Sequence, residues 1–299
     1  MINKELSKKE KKEHSSIGDM KLFDSHCHIT DHAEELSNLK DLKISKIALM
    51  GTKPQDWDVI AQTHQTHPEK VVFGFGIHPW FAHKFTDSED WFNLLRQKAK
   101  EHPISFIGEI GIDKAVCSPH ISLISHSPLF HVKAKAPETG KNEFEAQKKV
   151  FMKQIELACE LGKPVSLHCV RSAGILFEMF REMLKKGKHN IPKKIMLHSY
   201  GGSAEFVTQF CKMKEIGDRF FFSFSKVVNM RSPKLKDILL KVPSERLLIE
   251  SDLDSIQFQE ESLLEICEFV AEARGWTLRE TAEITFSNSL SFFGTESNK

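Results

Sequence analysis

The chain has no uninterrupted run of about 18 apolar residues, the length a bilayer-crossing helix needs, so no membrane span is expected. It has no Cys-x-x-Cys pair either. Its six cysteines, Cys27, Cys117, Cys159, Cys169, Cys211 and Cys267, stand far apart in 299 residues, which reads as reduced thiols rather than a disulfide framework. There is no excess of one charge: 42 Lys and Arg face 41 Asp and Glu, a formal net charge of +1. That balance removes any global attraction to nucleic acid or anionic lipid and makes anion recognition a local matter. The opening residues lack the apolar stretch of a secretory signal. There Lys8, Lys9, Lys11 and Lys12 interleave with Glu10 and Glu13, as in a solvated tail rather than a nuclear-import signal. These absences point to a cytoplasmic or nuclear protein.

What is present, 40% hydrophobic and 28% charged residues, suits a globular chain with a sizeable core. Short apolar runs alternate with amphipathic stretches. Strands are expected at 22–28, 44–50, 71–77, 104–110, 164–168, 194–198, 220–225 and 246–251. Helices are expected at 55–67, 88–101, 143–161, 173–186, 204–216, 260–273 and 277–287, the last opened by a Thr277/Glu280 capping box. Eight β-α units with nearly continuous apolar strands imply a parallel sheet buried on both faces. A closed eight-stranded barrel over 21–294 is the simplest topology, and an open doubly wound sheet the alternative. Residues 1–20 and 295–299 are expected to be tails.

Ionisable residues gather at the strands' C-terminal ends, where a barrel of this kind builds its site. In an extended chain residues i and i+2 share a face, so His26 and His28 project together, Asp24 lies one step below, and Cys27 points away. Glu109 lies on the fourth strand near its end, His168 ends the fifth and His198 the sixth, and Asp252 lies just beyond the eighth. Four imidazoles and two carboxylates exceed one tetrahedral centre and suit two divalent ions sharing a carboxylate. By strand order, His26, His28 and Asp252 hold one ion, His168 and His198 the other, and Glu109 is the bridge. Nitrogen and oxygen donors without thiolate fit Zn or Mn, and Mg less well.

The motifs Phe23-Asp-Ser-His-Cys-His28, Gly76-Ile-His-Pro79, Ile107-Gly-Glu-Ile-Gly-Ile-Asp113, Leu167-His-Cys169, His198-Ser-Tyr-Gly201 and Glu250-Ser-Asp252 carry a resemblance. In this order, over 22–252, the chain resembles the TatD-type metal-dependent hydrolases, a branch of the amidohydrolase-like barrels. The resemblance implies a TIM barrel, a divalent-metal requirement, the same six ligands, and hydrolysis of DNA phosphodiesters, in several members as a 3′ to 5′ exonuclease. Two departures touch the substrate side: Lys114 stands where the family usually has Tyr, and Leu253-Asp254 where it has Ser-Pro. A third is the long segment 114–142, in which Lys114, Lys133, Lys135 and Lys141 face one acid, Glu138, beside His120, His126 and His131. It is either a phosphate-attracting lid or a tolerated insertion.

The expected chemistry is an activated water attacking an in-line phosphorus, with Glu109 and Asp252 as catalytic carboxylates and Asp252 as general base. Glu250 is either a support that orients Asp252 or half of a salt bridge. His78 either contacts phosphate or fixes the turn at Pro79, and Arg171 either grips phosphate or makes a surface ion pair. The same chemistry would also serve an ester or amide, and a barrel that has lost turnover would act only as an interaction protein. The intact ligand set argues against that last reading. The expected partner is DNA or another phosphodiester, with no obligate protein partner.

Overall fold

Eight apolar runs extend and lie side by side in a computed structural model of the chain, which describes residues 18–116 and 140–295. In chain order they are β1 (Phe23–Cys27), β2 (Lys46–Met50), β3 (Val71–Phe75), β4 (Phe106–Asp113), β5 (Val165–Val170), β6 (Ile195–Leu197), β7 (Phe220–Ser225) and β8 (Leu247–Glu250). Each pairs in parallel with the next, in sequence order. The seam between the last and the first is stitched by Asp252 N–H to His26 O (3.0 Å) and His28 N–H to Leu253 O (2.7 Å). The fold is therefore a TIM barrel, and the open sheet is excluded.

The helices that cover it are α1 (Pro54–Thr66), α2 (Asp90–Glu101), α3 (Gly140–Leu161), α4 (Ala173–Lys185), α5 (Ala204–Cys211), α6 (Lys226–Asn229), α7 (Leu235–Leu239), α8 (Gln259–Arg274) and α9 (Leu278–Phe293). Because strand side chains alternate, they fill two compartments. Ile47, Phe73, Ile107, Leu197, Phe222 and Ile249 face outward against helix residues such as Trp57, Leu95, Ile155, Phe180 and Ile266. Phe23, Val72, Phe106, Met196, Phe221 and Leu248 face inward and are sealed by Phe292 and Phe293 from the end of α9. Apolar packing thus closes one end of the barrel, and the polar residues take the other. No helix among the described residues is long and apolar enough to cross a membrane.

Several boundaries differ from expectation. β4 runs past 110 to Asp113, with a register shift between Ile107 and Ile110 at the Gly108-Glu109 step. Gly111 makes the extension feasible: at φ +150, a Cβ there would lie 2.0 Å from the His168 carbonyl oxygen. The helix expected over 204–216 stops at Cys211, since the chain folds back so that Gly217 packs on the Cys211 carbonyl. Met213 and Ile216 stay buried in that turn, which explains why their spacing resembled more helix. Two short helices, α6 and α7, fill the crossover before β8. α9 continues to Phe293 and ends at Gly294 in the left-handed region, its start capped by Thr277 and Glu280 as expected. Residues 1–17 and 296–299 of the expected tails, and 117–139 of the expected insertion, lie outside the described residues.

Candidate metal centre

A register shift between Asp24 and Cys27 breaks the alternation of β1. His26, three residues after the inward Phe23, therefore also points into the barrel and is fully buried, Asp24 does not share its face as expected, and Cys27 turns outward with its thiol on the Ala48 carbonyl. Behind His26, Asp24 accepts from the His26 and Ser251 backbone N–H groups (3.2 and 2.8 Å) and from Gln259 Nε2 (2.7 Å). It therefore clamps β1 to the stretch after β8 and to α8, and touches no imidazole.

Glu109, 1% exposed, is the centre of the arrangement. Its Oε2 lies 3.4 Å from His26 Nε2 and 3.2 Å from His28 Nε2. Its Oε1 lies 2.7 Å from His168 Nδ1, 2.7 Å from His198 Nε2 and 3.2 Å from His78 Nε2. Asp252 Oδ1 stands 3.8 and 3.7 Å from the Nε2 atoms of His26 and His28. Groups that could hold an ion, with donor atoms within 4.8 Å of one another, include His26/His28/Asp252, His26/Glu109/His198 and His78/Glu109/His168.

The far side of three of these rings is also engaged. His168 Nε2 meets Asp113 Oδ2 (3.2 Å), His198 Nδ1 meets Glu250 Oε1 (3.2 Å), and His26 Nδ1 meets Ser166 Oγ (3.2 Å). A neutral imidazole carries one N–H. If His168 and His198 donate backward to their carboxylates, each turns a lone pair toward Glu109 Oε1, and a cation between them satisfies all three. Carboxylates that hold histidines from behind in this way fix the rings of metal ligands. The donor set therefore fits divalent metal.

His78 differs. Its Nδ1 accepts from the Trp80 backbone N–H (3.2 Å), so in the neutral ring Nε2 carries the proton and points at Glu109 as a donor. Burial pushes its pKa down to about 4, which keeps it neutral. His78 is thus placed to donate a hydrogen bond rather than to ligate.

The electrostatics follow from burial opposed by neighbours. Burial disfavours the charge on Glu109, but His78, His198, His26 and the hydrogen bond from His168 hold its carboxyl well below the usual range. Burial and the His198 charge lower His26 to about 3. For His168, burial is outweighed by the hydrogen bonds to Asp113 and Glu109, which raise it to about 9. Burial lifts Asp252 to about 6, so this carboxylate takes up a proton close to neutrality.

The structure brings His26, His28, Glu109, His168, His198 and Asp252 together at the strands' C-terminal ends, with His78 beside them. Ser199 bridges Glu250 and Asp252, its hydroxyl 2.7 Å from Glu250 Oε1 and 3.0 Å from Asp252 Oδ2, and the two carboxylates with His198 form a further group whose donor atoms lie within 4.8 Å of one another. Arg171 directly follows β5, exposed, in the left-handed region (φ 52), with no ion pair among the described residues. Sequence reasoning missed Ser166, Ser199, Asp113 and Trp80. Ser166 was detectable, two residues before His168 on the same strand face; Ser199 and Trp80 sit in turns, where no periodicity points.

A profile of the TatD related DNase family matches residues 23–294. Cut9-interacting protein scn1 of Schizosaccharomyces pombe is 30% identical, over 91% of this chain and 98% of its own length. An uncharacterized deoxyribonuclease of Saccharomyces cerevisiae is 28% identical over 78% of this chain and 83% of its own. An uncharacterized metal-dependent hydrolase of Bacillus subtilis is 26% identical over 91% and 98%. Among solved structures, a TatD homolog from Escherichia coli superposes with a TM-score of 0.68 at 21% identity, covering 91% of this chain and 98% of its own. With a barrel of the same fold and a match over nearly its whole length, the chain belongs to the TatD related DNase family of metal-dependent hydrolases.

Proposed function

We propose that the chain is a deoxyribonuclease that hydrolyses DNA phosphodiesters with two divalent ions, working from the 3′ end. The observation that carries this reading is the division of Glu109, with one oxygen facing His26 and His28 and the other facing His168 and His198. In this reading His26, His28 and Asp252 hold one ion, His168 and His198 the other, and Glu109 serves both. Bound there, Zn, Mn or Mg would lower the pKa of water and neutralise charge on the phosphate.

The chain's own residues supply the rest. Asp252 accepts the proton of the attacking water: its Oδ1 faces the cluster, its Oδ2 is held by Ser199, and burial makes it more basic than an ordinary carboxylate. His78, whose Nε2–H faces Glu109 at 3.2 Å, turns that donor to a phosphate oxygen or the leaving group once Glu109 serves the ions. Arg171 offers its forked donors to a phosphate at the rim. Glu250 sets both the His198 ring and, through Ser199, the Asp252 carboxylate.

The test uses metal-free protein given Mg, Mn or Zn singly with single-stranded DNA labelled at its 3′ end, beside Asp252→Asn. Metal-dependent release of mononucleotides, lost in the variant, is expected. No cleavage with any metal, despite two ions per chain by elemental analysis, would move the assignment to ester or amide substrates.

A further inference from the structure

Among the described residues, Trp80 and Phe258 are the aromatic ones of the exposed large hydrophobic side chains, and Trp80 is tied to the candidate centre. It lies in the Pro79–Phe85 turn that leaves the C-terminal end of β3. Its indole N–H donates to Asp113 Oδ2 (2.8 Å), the oxygen that also meets His168 Nε2. Its ring stands edge-to-face 4.9 Å from His78 and 6.3 Å from His168. Yet Trp80 keeps 37% of its surface exposed. A tryptophan used only for packing looks different in this chain: Trp57 is wholly buried with its N–H on the Gly76 carbonyl. Trp80 is thus an indole fixed by its edge and left partly open to water at the barrel mouth.

Cations stand against the ring of the next residue, Phe81. The ammonium groups of Lys84 and Lys53 lie 5.6 and 5.7 Å from the centre of the adjoining Phe81 ring. Lys84 is exposed, and Lys53 also pairs with Asp56 at 3.5 Å. An anchored aromatic plane next to positive charge is how proteins hold single-stranded nucleic acid, with a base on the ring and a phosphate on the cation. A net charge of +1 makes such a local device necessary.

We propose that Trp80 is the stacking platform for a base next to the phosphodiester being cut, with Lys84 contacting the neighbouring phosphate. The proposal rests on the nuclease reading above and narrows it to strands whose end is unpaired, because a base within a duplex presents no free face. Asp113 then acts as a positioning residue, setting Trp80 and His168 with one carboxylate oxygen.

The experiment compares a thymidine oligonucleotide with versions lacking the base at the terminal or the penultimate nucleotide. Cleavage rates are measured for the wild type, Trp80→Phe, Trp80→Ala and Lys84→Ala. The readout is the ratio of rates on base-bearing and abasic strands, so a general loss from disturbed His78 or Asp113 cancels. The wild type should prefer the base by about 5- to 100-fold at one of the two positions. Trp80→Ala should bring that ratio near one, Trp80→Phe should keep most of it, and Lys84→Ala should lower the salt dependence while leaving the ratio intact. Cleavage of both strands without preference, or a preference unchanged in Trp80→Ala, overturns the platform and leaves the nuclease reading standing. Cleavage of neither strand with any metal overturns both.

Discussion

Asp252 and Ser199 show how the site holds its geometry residue by residue. Both are non-glycine residues in the left-handed region (φ 55 and 37), just past strand ends. Such positions cost on the order of 1–3 kcal/mol each and persist where surrounding bonds hold them. Here the bonds are visible: Asp252 N–H donates to His26 O, and Ser199 N–H and Oγ both bind Glu250 Oε1. Ser199→Ala removes the one hydroxyl that joins Glu250 to Asp252. The rate should fall about tenfold, the share of an oriented general base being roughly 10²–10⁴ in all, with two ions still bound by elemental analysis. An unchanged rate would mean that Asp252 needs no such support. Gly111→Ala is a harsher case, because the added Cβ meets backbone, the His168 carbonyl at 2.0 Å, with nothing able to rotate away. A loss of about 3 kcal/mol or more in urea unfolding, together with lost metal, is expected.

At the scale of elements, α3 decides where two mouth loops sit. Gln154 accepts from Ile77 N–H (2.7 Å) through Oε1 and donates from Nε2 to Ile77 O (3.2 Å). Two turns earlier Gln147 does the same with Asp113, at 2.9 and 3.2 Å. One face of one helix thus grips the backbone of the residue before His78 and that of Asp113, whose carboxylate stands behind His168. Gln154→Leu would leave a buried N–H and C=O unpaired at Ile77, costing about 2–4 kcal/mol by urea unfolding. Activity of the folded fraction should also fall, since His78 is the next residue. Full activity in a destabilised variant would show that the grip serves folding alone. None of this was legible in the sequence, where two glutamines on a helix look like solvated face. The ligands were legible because polar residues recur near strand ends: His26 and His28 stand two residues apart, and Glu109, His168 and His198 each interrupt or end an apolar run. Asp113 was lost by a short margin, since glycine at 111 appeared to end the strand that carries it.

Across the whole molecule, the division of the barrel into an apolar end and a polar end separates stability from chemistry. Phe293 stacks on Phe23 with ring centres 5.3 Å apart and sits 5.0 Å from Phe106 and 4.8 Å from Phe292. Strand alternation predicted inward-facing side chains but not what would plug the closed end, because the plug comes from the far end of the chain. The last helix was expected to stop near 287, before the residues that do the sealing. Phe293→Ala leaves a void against Phe23 and Phe106 and should cost about 3–5 kcal/mol of stability. Phe23 begins β1 and the His26 that follows is held independently, by Ser166 on its ring and by Asp24 and Asp252 on its backbone. The variant should therefore unfold at lower urea while its folded fraction keeps kcat within about threefold and retains its ions, as expected for sites far apart with no shared partners. A large fall in kcat at a temperature where circular dichroism shows the chain folded would mean that the plug transmits along β1 to the ligands, and that the two ends are not independent.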